Sequence, residues 1–175
     1  HALVGENGAG KSTLIKILTG VHRAEAGQIL LEGHPVVFAS PLEAKAAGIA
    51  AIYQELALVP GLTVRENLFL GQEKSRGGFV NAREEGEQAR ALFARLGVDL
   101  DPEALVSDLN VASRQLVEIS RALSTEARIL VMDEPTAALT PREVTSLFVI
   151  LRDLAAKGIG LIFISHRLDE VLDIA

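Results

Sequence analysis

The stretch Gly5-Glu6-Asn7-Gly8-Ala9-Gly10-Lys11-Ser12 fits the pattern G-x-x-x-x-G-K-[ST] of a phosphate-binding loop. The preceding residues, 1–4, predict the end of a strand, and apolar residues at helical spacing follow the loop as far as Gly20. In this context backbone N–H groups and the positive end of a helix can surround phosphate oxygens. We therefore expect a nucleoside triphosphate to bind here. The predicted nucleotide-binding residues are Gly5, Glu6, Asn7, Gly8, Ala9, Gly10, Lys11, Ser12 and Thr13.

Within this loop, Lys11 and Ser12 have separate expected roles. The lysine reaches the outer phosphates, and the serine hydroxyl is a ligand of Mg²⁺. A glycine-rich turn that happens to precede Lys and Ser is the structural alternative. The pattern by itself is shared by GTPases, kinases and transport ATPases, so it predicts a triphosphate and no particular reaction.

A second apolar strand, Ile129–Met132, ends in two acidic residues, Asp133 and Glu134. Carboxylates at the end of a parallel strand lie at the same sheet edge as the phosphate loop. We expect Asp133 to bind Mg²⁺ through water and Glu134 to polarise the water that attacks the γ-phosphate. The alternative is a solvated acidic pair that begins a turn at Pro135.

Strand and helix signals alternate along most of the chain. A hairpin is predicted within 27–38, a helix capped by Ser40 follows, and strands are predicted at 49–53 and 161–164. Between about residues 55 and 125 the strand signals fade, and Asn81 caps a predicted helix. A further helix, with a capping box opened by Thr140, is predicted to end at Gly158. The pattern predicts an α/β fold.

Composition narrows the class of protein. The 175 residues carry a formal net charge of -6 and no cysteine. Binding to a nucleic-acid backbone needs clustered positive charge, so we expect no nucleic-acid partner. Disulfides and thiolate metal sites are excluded. The apolar runs are far shorter than a membrane span, and no signal-peptide pattern opens the chain.

Three further motifs create a family resemblance. Gln54 follows a strand, Leu109 to Gln115 precede a helix, and Ser165 with His166 follow the last strand. Together with the phosphate loop and the acidic pair, this order resembles that of ABC-type ATPases. The stretches VGENGAGKSTL, YQEL, MDEPTAALT and ISHRLDEV look like the first ATPase half of the bacterial monosaccharide importers, in which two such halves lie in one chain.

The resemblance implies a P-loop NTPase (RecA-like) core with a mainly parallel sheet, an antiparallel hairpin arm and an inserted helical subdomain. We expect one ABC ATPase domain over 1–175, with a core lobe at 1–55 and 126–175 and a helical subdomain at about 56–125. Because the chain opens within a strand pattern and stops within a helix pattern, we expect it to be a truncated domain.

The resemblance also implies roles for individual residues. Gln54 corresponds to the Q-loop glutamine, which senses Mg²⁺ and the attacking water, and His166 to the switch histidine at the γ-phosphate. Asn110 and Ala112 lie in the signature segment, which completes the ATP site of an opposite ATPase unit. Here Asn110 replaces the usual Ser, and Val111 and Ala112 replace glycines. Thr140 replaces the usual Asp of the D-loop and also reads as a helix cap.

The expected function is ATP hydrolysis that drives monosaccharide uptake, with ATP and Mg²⁺ bound. The expected partners are a second ATPase domain in the same chain or a homodimer, transmembrane permease subunits and, indirectly, a periplasmic sugar-binding protein. The expected location is the cytoplasmic face of the bacterial inner membrane, as a peripheral protein. Two alternatives stay open: a soluble ABC-type ATPase of DNA repair or translation, and a non-catalytic regulatory nucleotide-binding module.

Overall fold

The structure, a computed structural model, describes residues 1–6, 8–76, 78–125 and 127–174. In chain order the described strands are β1 (Ala2–Leu3), β2 (Ile29–Leu31), β3 (His34–Val36), β4 (Ile49–Ile52), β5 (Ser75–Arg76), β6 (Phe79–Val80), β7 (Ile129–Asp133) and β8 (Gly160–Ile164). The described helices are α1 (Lys11–Leu18), α2 (Pro41–Ala46), α3 (Val64–Phe69), α4 (Ala82–Leu96), α5 (Val111–Leu123), α6 (Pro141–Ala156) and α7 (Leu168–Ile174).

Four strands form one parallel sheet in the order β1-β8-β7-β4. The register aligns their carboxyl ends, because Leu3 and Asp133 both pair with Ile164. On the other side of β7, Ile52 pairs with Met132. The segments that follow the four strands therefore leave the sheet at one edge, which is where open α/β sheets bind ligands.

Most of strand β7 and the last two residues of β8, Phe163 and Ile164, are buried, as the apolar runs predicted. Parallel strands covered on both faces read as continuous apolar runs, and Leu130, Val131 and Met132 are all nearly inaccessible to solvent. One core cluster joins the sheet to α1 and α2; its buried members are Ile15, Phe38, Ala44, Ile49, Val131 and Ile164. The predicted hairpin is present as the antiparallel pair β2–β3, whose turn contains Glu32 and Gly33.

The middle segment is mainly helical, as predicted, and has its own apolar core. The buried residues of this core come from α3, α4, α5 and the loop before α5: Val64, Leu68, Phe69, Ala89, Phe93, Val106 and Val117. Asn81 caps α4 by accepting a hydrogen bond from the Glu84 amide at 3.3 Å. The short antiparallel pair β5–β6 was not predicted.

By the packing of its backbone, the chain divides into two compact units. The sheet unit contains residues 1–54, 125–135 and 151–175, and the helical unit contains residues 55–124 and 136–150. The sequence had placed the whole of 126–175 in the core lobe. In this division the segment 136–150 groups with the helical unit. The first turns of α5 and α6 line a common cavity of about 260 Å³.

Across the described parts of the chain, no helix combines the length and the apolar character that a membrane crossing requires.

Candidate nucleotide-binding site

The sheet edge collects four of the segments that the sequence singled out. The glycine loop follows β1, Gln54 follows β4, Asp133 and Glu134 stand at the end of β7, and His166 follows β8. These segments are far apart in the chain. Parallel pairing brings them together because each strand ends at the same edge.

The glycine loop leaves the start of α1 open. Gly8 and Gly10 have φ values of 84° and 88°, in the left-handed region that favours glycine. Gly10 is the N-cap residue of α1 and provides no side-chain cap, so no side chain competes for the first amides of the helix. Nζ of Lys11 donates to the carbonyl oxygens of Gly5 at 2.6 Å and Glu6 at 3.0 Å. Asn7 lies outside the described residues.

One cavity of about 290 Å³ lies at this edge, and every described residue in its lining belongs to the sheet unit. Its lining residues are Gly8, Gly10, Lys11, Ser12, Thr13, Gln54, Asp133 and Glu134. The cavity thus brings together the glycine loop, the predicted Q-loop glutamine and the acidic strand end. Gly5, Glu6 and Ala9 are not among the lining residues, nor are His166, Asn110 and Ala112.

Asp133 is a partly buried carboxyl group between groups of both charges. Burial raises its pKa above the ordinary value, and the negative charge of Glu134 raises it further. The ammonium of Lys11 and a hydrogen-bonding contact with the Ser12 hydroxyl lower the pKa and offset part of this effect. An ionised Asp133 therefore carries an electrostatic cost that a bound cation would relieve.

Glu134 adopts a backbone conformation that is rare for a residue with a side chain. Its φ is 49°, and its N–H donates to the carbonyl oxygen of Ile164 at 2.9 Å. Such conformations cost free energy and persist where the surrounding structure enforces them, often at functional sites. Oε1 of Glu134 lies 2.9 Å from Nδ1 of His166, although the two residues are 32 positions apart.

The Glu134 side chain is 16% exposed and that of His166 is 55% exposed. The contact therefore holds a largely covered carboxylate at the cavity and leaves the imidazole open to solvent. A carboxylate fixed in this way can accept a proton from a bound water molecule, and the imidazole can reorient when an anion arrives. The sequence analysis named both residues but did not predict that they contact each other.

The donor set at the cavity suits a magnesium ion. Mg²⁺ prefers hard oxygen ligands and usually takes one or two from the protein and the rest from phosphates and water. The Ser12 hydroxyl, the amide oxygen of Gln54 and the Asp133 carboxylate are such ligands, and all three residues line the cavity. Among the described residues, no group of three or more His, Cys, Asp or Glu side chains is arranged to hold a metal.

The predicted signature segment begins α5, and it begins differently from the glycine loop. Oδ1 of Asn110 accepts a hydrogen bond from the Ser113 amide at 2.8 Å, so Asn110 is the N-cap residue of the helix. With its oxygen engaged in the cap, the exposed Asn110 side chain offers its NH₂ group to any ligand. Ala112 lies in the first turn of the same helix.

Thr140 caps α6, as one of the two sequence readings proposed. Its backbone N–H and its hydroxyl both donate to Oε2 of Glu143 at 2.8 Å, and the Glu143 amide donates back to the hydroxyl at 3.4 Å. These hydrogen bonds lower the pKa of Glu143. His22 and His34, which the sequence gave no role, are both exposed.

Sequence reasoning did not identify Glu118 and Arg121. The guanidinium of Arg121 donates to Oε2 of Glu118 at 3.0 Å and to the carbonyl oxygen of Ala57 at 2.8 Å. Glu118 is an acidic residue on the buried face of α5, which is the only signal in the sequence. Ala57, the partner of Arg121, is 64 residues away, and no local pattern points to it.

Residues 1–137 match the ABC transporter family. The chain belongs to the ABC transporter family. This ABC chain is 53% identical over 175 residues to a ribose import ATP-binding protein, RbsA 3, of Rubrobacter xylanophilus. The alignment covers 100% of this chain and 35% of that protein. It is 52% identical to a putative ribose/galactose/methyl galactoside import ATP-binding protein of Hahella chejuensis, and that alignment covers 100% of this chain and 34% of the relative.

The fold of this ABC chain matches that of solved cassettes. A nucleotide-free ATP-binding cassette of an ABC transporter superposes with a TM-score of 0.84 at 32% identity, covering 99% of this chain and 72% of the other. The predicted P-loop fold with a parallel sheet and an antiparallel hairpin is therefore confirmed. The chain spans about a third of the length of the curated relatives it matches, in which it aligns with the N-terminal half.

Proposed function

We propose that this ABC chain binds and hydrolyses ATP to drive monosaccharide import. The observation that carries the proposal is the shared cavity, in which the glycine loop with Lys11 faces the acidic strand end at Asp133 and Glu134. A loop of open amides with one lysine fits the phosphates of a nucleotide, and a fixed carboxylate beside them fits the activation of water.

Binding of the triphosphate uses donors that the structure keeps accessible. The uncapped first turn of α1 presents its N–H groups and the positive end of its dipole to the phosphate oxygens. The Lys11 ammonium now rests on the carbonyl oxygens of Gly5 and Glu6. A phosphate anion offers a stronger, charge-assisted hydrogen bond, so Lys11 turns from the loop to the outer phosphates when ATP enters.

Hydrolysis requires a water molecule positioned for attack on the γ-phosphate. Glu134 is the group that takes its proton, because the carboxylate is covered, fixed and at the cavity. His166 holds this carboxylate in the structure and contacts the γ-phosphate in the loaded site. Gln54 lines the same cavity and orients the water.

Ser12, Gln54 and Asp133 are the residues that would hold Mg²⁺. When bound, the ion neutralises negative charge on the phosphate oxygens. The ionised Asp133 carboxylate, which burial disfavours in the metal-free cavity, becomes the favoured form beside a cation.

The complete site requires a second ATPase unit. Asn110 and Ala112 do not line the cavity at the sheet edge that holds the glycine loop, and the exposed Asn110 side chain keeps its NH₂ group outside the hydrogen bond that caps α5. We assign these residues to the ATP site of an opposite unit, supplied by the same longer chain or by a homodimer. The helical unit contacts the permease subunits, at the cytoplasmic face of the bacterial inner membrane, and a periplasmic binding protein supplies the sugar.

The identity of the solute rests on the relatives. Two of them, named above, are described as ATP-binding proteins of ribose or galactose import, and both match this chain along its whole length at more than 50% identity. Uptake of labelled ribose and galactose into vesicles that contain the assembled transporter, with other solutes as competitors, tests this part of the proposal.

Replacement of Glu134 tests the enzyme itself. In the intact protein, Glu134→Gln should lower ATP hydrolysis by about 100-fold or more, because the amide cannot accept the proton, while ATP affinity stays at the wild-type level. Turnover and nucleotide binding are measured on the same preparation. Glu25→Gln, an exposed glutamate of the same unit, is the control and should behave as wild type. Unchanged turnover in Glu134→Gln would overturn the proposal.

A further inference from the structure

Two charged side chains of α5 hold the backbone of a residue in the preceding loop. Arg121 donates to the carbonyl oxygen of Ala57 at 2.8 Å and to Oε2 of Glu118 at 3.0 Å. Burial raises the pKa of Glu118, and the positive charge of Arg121 and the nearby backbone N–H of Ala57 oppose part of this rise. The Ala57 carbonyl is thus held by an arginine that is itself paired with a buried glutamate. We call this contact of the Glu118–Arg121 pair with the Ala57 backbone the Ala57 clamp.

Burial of the Glu118 carboxylate makes the clamp energetically costly, so stabilisation of the fold does not by itself explain it. The Glu118 residue is only 5% exposed, and burial is the main influence on its pKa, which is raised in spite of Arg121. Its second oxygen, Oε1, has no hydrogen-bond partner among the described residues. A buried ion pair is often no more stabilising than apolar residues of the same volume, but its geometry is more specific. What the pair provides here is a fixed position for the Ala57 backbone.

A second contact fixes the same loop two residues later. Oδ1 of Asn67 accepts from the Val59 N–H at 2.7 Å, and Nδ2 of Asn67 donates to the Val59 carbonyl at 3.0 Å. Asn67 is fully buried in α3. The loop is therefore attached to α5 at Ala57 and to α3 at Val59, with all of these residues in the helical unit.

The clamp lies next to the point at which the chain leaves the sheet unit. The boundary between the two units falls between Gln54 and Glu55, so only two residues separate the cavity-lining Gln54 from the clamped Ala57. Glu55 and Leu56 are the only residues between Gln54 and Ala57. Arg121 connects Ala57 in turn to α5, whose N-terminus carries Asn110 and Ala112.

We propose that Glu118 and Arg121 are positioning residues that couple Gln54 to the N-terminus of α5 through the Ala57 backbone. The proposal rests on the proposed function, since it assigns the transmission of the nucleotide state to one contact of the same site. The proposed role differs from general packing because it depends on the bidentate contact of the Arg121 guanidinium with Glu118 and Ala57. The fork of an arginine can reach Glu118 and the Ala57 carbonyl together, whereas the single ammonium of a lysine cannot hold both in the same geometry.

Arg121→Lys in the intact transport complex is the decisive variant. Hydrolysis stimulated by sugar-loaded binding protein should fall by about fivefold in kcat, while KM for ATP and basal hydrolysis stay unchanged, because the phosphate loop is untouched. Glu118→Gln keeps an oxygen acceptor for the Arg121 guanidinium but loses the ion pair, so its decrease should be smaller. Hydrogen exchange at the Ala57 amide should accelerate in Arg121→Lys. Thermal denaturation is recorded for each variant.

The matched control is Arg83→Lys, which alters an exposed pair of the same unit. Arg83 and Glu87 on α4 form an ion pair at 3.0 Å with side chains 90% and 61% exposed. This variant should keep wild-type kinetics and exchange. Wild-type stimulation and exchange in Arg121→Lys would overturn the coupling role, as would a parallel loss of kcat and ATP affinity that follows a lowered Tm. If the wild-type complex shows no sugar-dependent hydrolysis, the proposed function fails, and the exchange of the Ala57 amide still decides whether the clamp exists.

Discussion

Two helices of this protein begin at segments that we assign to phosphate binding, and they begin in different ways. The start of α1 has Gly10 as its N-cap residue, in the left-handed region and without a side-chain cap. The start of α5 has Asn110, in an extended conformation, with its side chain bonded to the Ser113 amide. The first leaves its amides to a ligand, and the second uses one of them internally.

The difference shows how a helix N-terminus is divided between stability and binding. An N-cap glycine in place of a capping side chain costs a helix only about a few tenths of a kcal/mol, and at α1 the ligand supplies the missing acceptor. At α5 the stabilising cap is retained, and the ligand is left with the NH₂ group of the same side chain. The start of α1 is thus adapted to enclose phosphates. The start of α5 is suited to donate a hydrogen bond from the Asn110 NH₂ group to a phosphate of another unit.

Loss of Lys11 should give the largest effect. In Lys11→Ala the affinity for ATP should decrease by about 100-fold, because a charge-assisted hydrogen bond to the outer phosphates is removed. Isothermal titration calorimetry measures the affinity. The exposed Lys16 at the other end of α1 is the matched control, and Lys16→Ala should bind as wild type. If the wild type, Lys11→Ala and Lys16→Ala all bind ATP with equal affinity, α1 is not the phosphate-binding helix.

A pH titration addresses the same site through Asp133, whose pKa is raised by burial and by Glu134. Mg²⁺-dependent ATP binding needs the carboxylate, so it should weaken by about tenfold per pH unit as the pH falls through this pKa, starting at a higher pH than for an ordinary aspartate. In the metal-free protein the raised pKa favours folding at low pH and opposes it at high pH. Asp133→Asn should therefore raise Tm at neutral pH and have no effect in acid.

The exposed Asp99, an aspartate in the helical unit, provides the control for this titration. Asp99→Asn should leave both the binding profile and Tm at wild-type values. If Asp133→Asn lowers Tm at neutral pH instead, the burial of Asp133 is not the source of its electrostatic cost.

The smallest effect is expected at α5, where Asn110→Asp separates the cap from the ligand contact. Aspartate caps helices as well as asparagine does, so Tm should stay unchanged. The NH₂ donor is lost, however, and hydrolysis by the dimeric enzyme should decrease by about fivefold, the size of one ordinary hydrogen bond. Asn110→Ala, which lacks both functions, should also lose about 1 kcal/mol of stability. Wild-type turnover in Asn110→Asp would show that the segment acts only as a helix cap.

Much of the fold was predictable because its signals are local. The caps by Ser40, Asn81 and Thr140 join residues that lie three positions apart, and each was read from the sequence before the structure showed it. The buried strands β7 and β8 were equally clear, since parallel strands consist of continuous apolar residues. The comparisons then confirmed the fold and the family.

The middle segment was harder to predict. The pair β5–β6 contains two residues in each strand, which is too few for a period of two to be visible in the sequence. The sequence analysis placed the segment 136–150 in the core lobe with the rest of 126–175. By backbone packing this segment groups with residues 55–124, and a sequence pattern does not record which neighbour a helix face meets.

The sequence by itself determined where this protein has a glycine loop, an acidic strand end, capped helices and buried strands, because these features depend on hydrogen bonds and side-chain periods over a few residues. Only the tertiary structure decided that Glu134 contacts His166 across 32 positions and that Arg121 reaches Ala57 across 64. Such contacts exist because the parallel sheet and the packed helices bring distant segments together. The free energy that favours these contacts comes from apolar burial and strand pairing over the whole fold. No single stretch of the sequence encodes it.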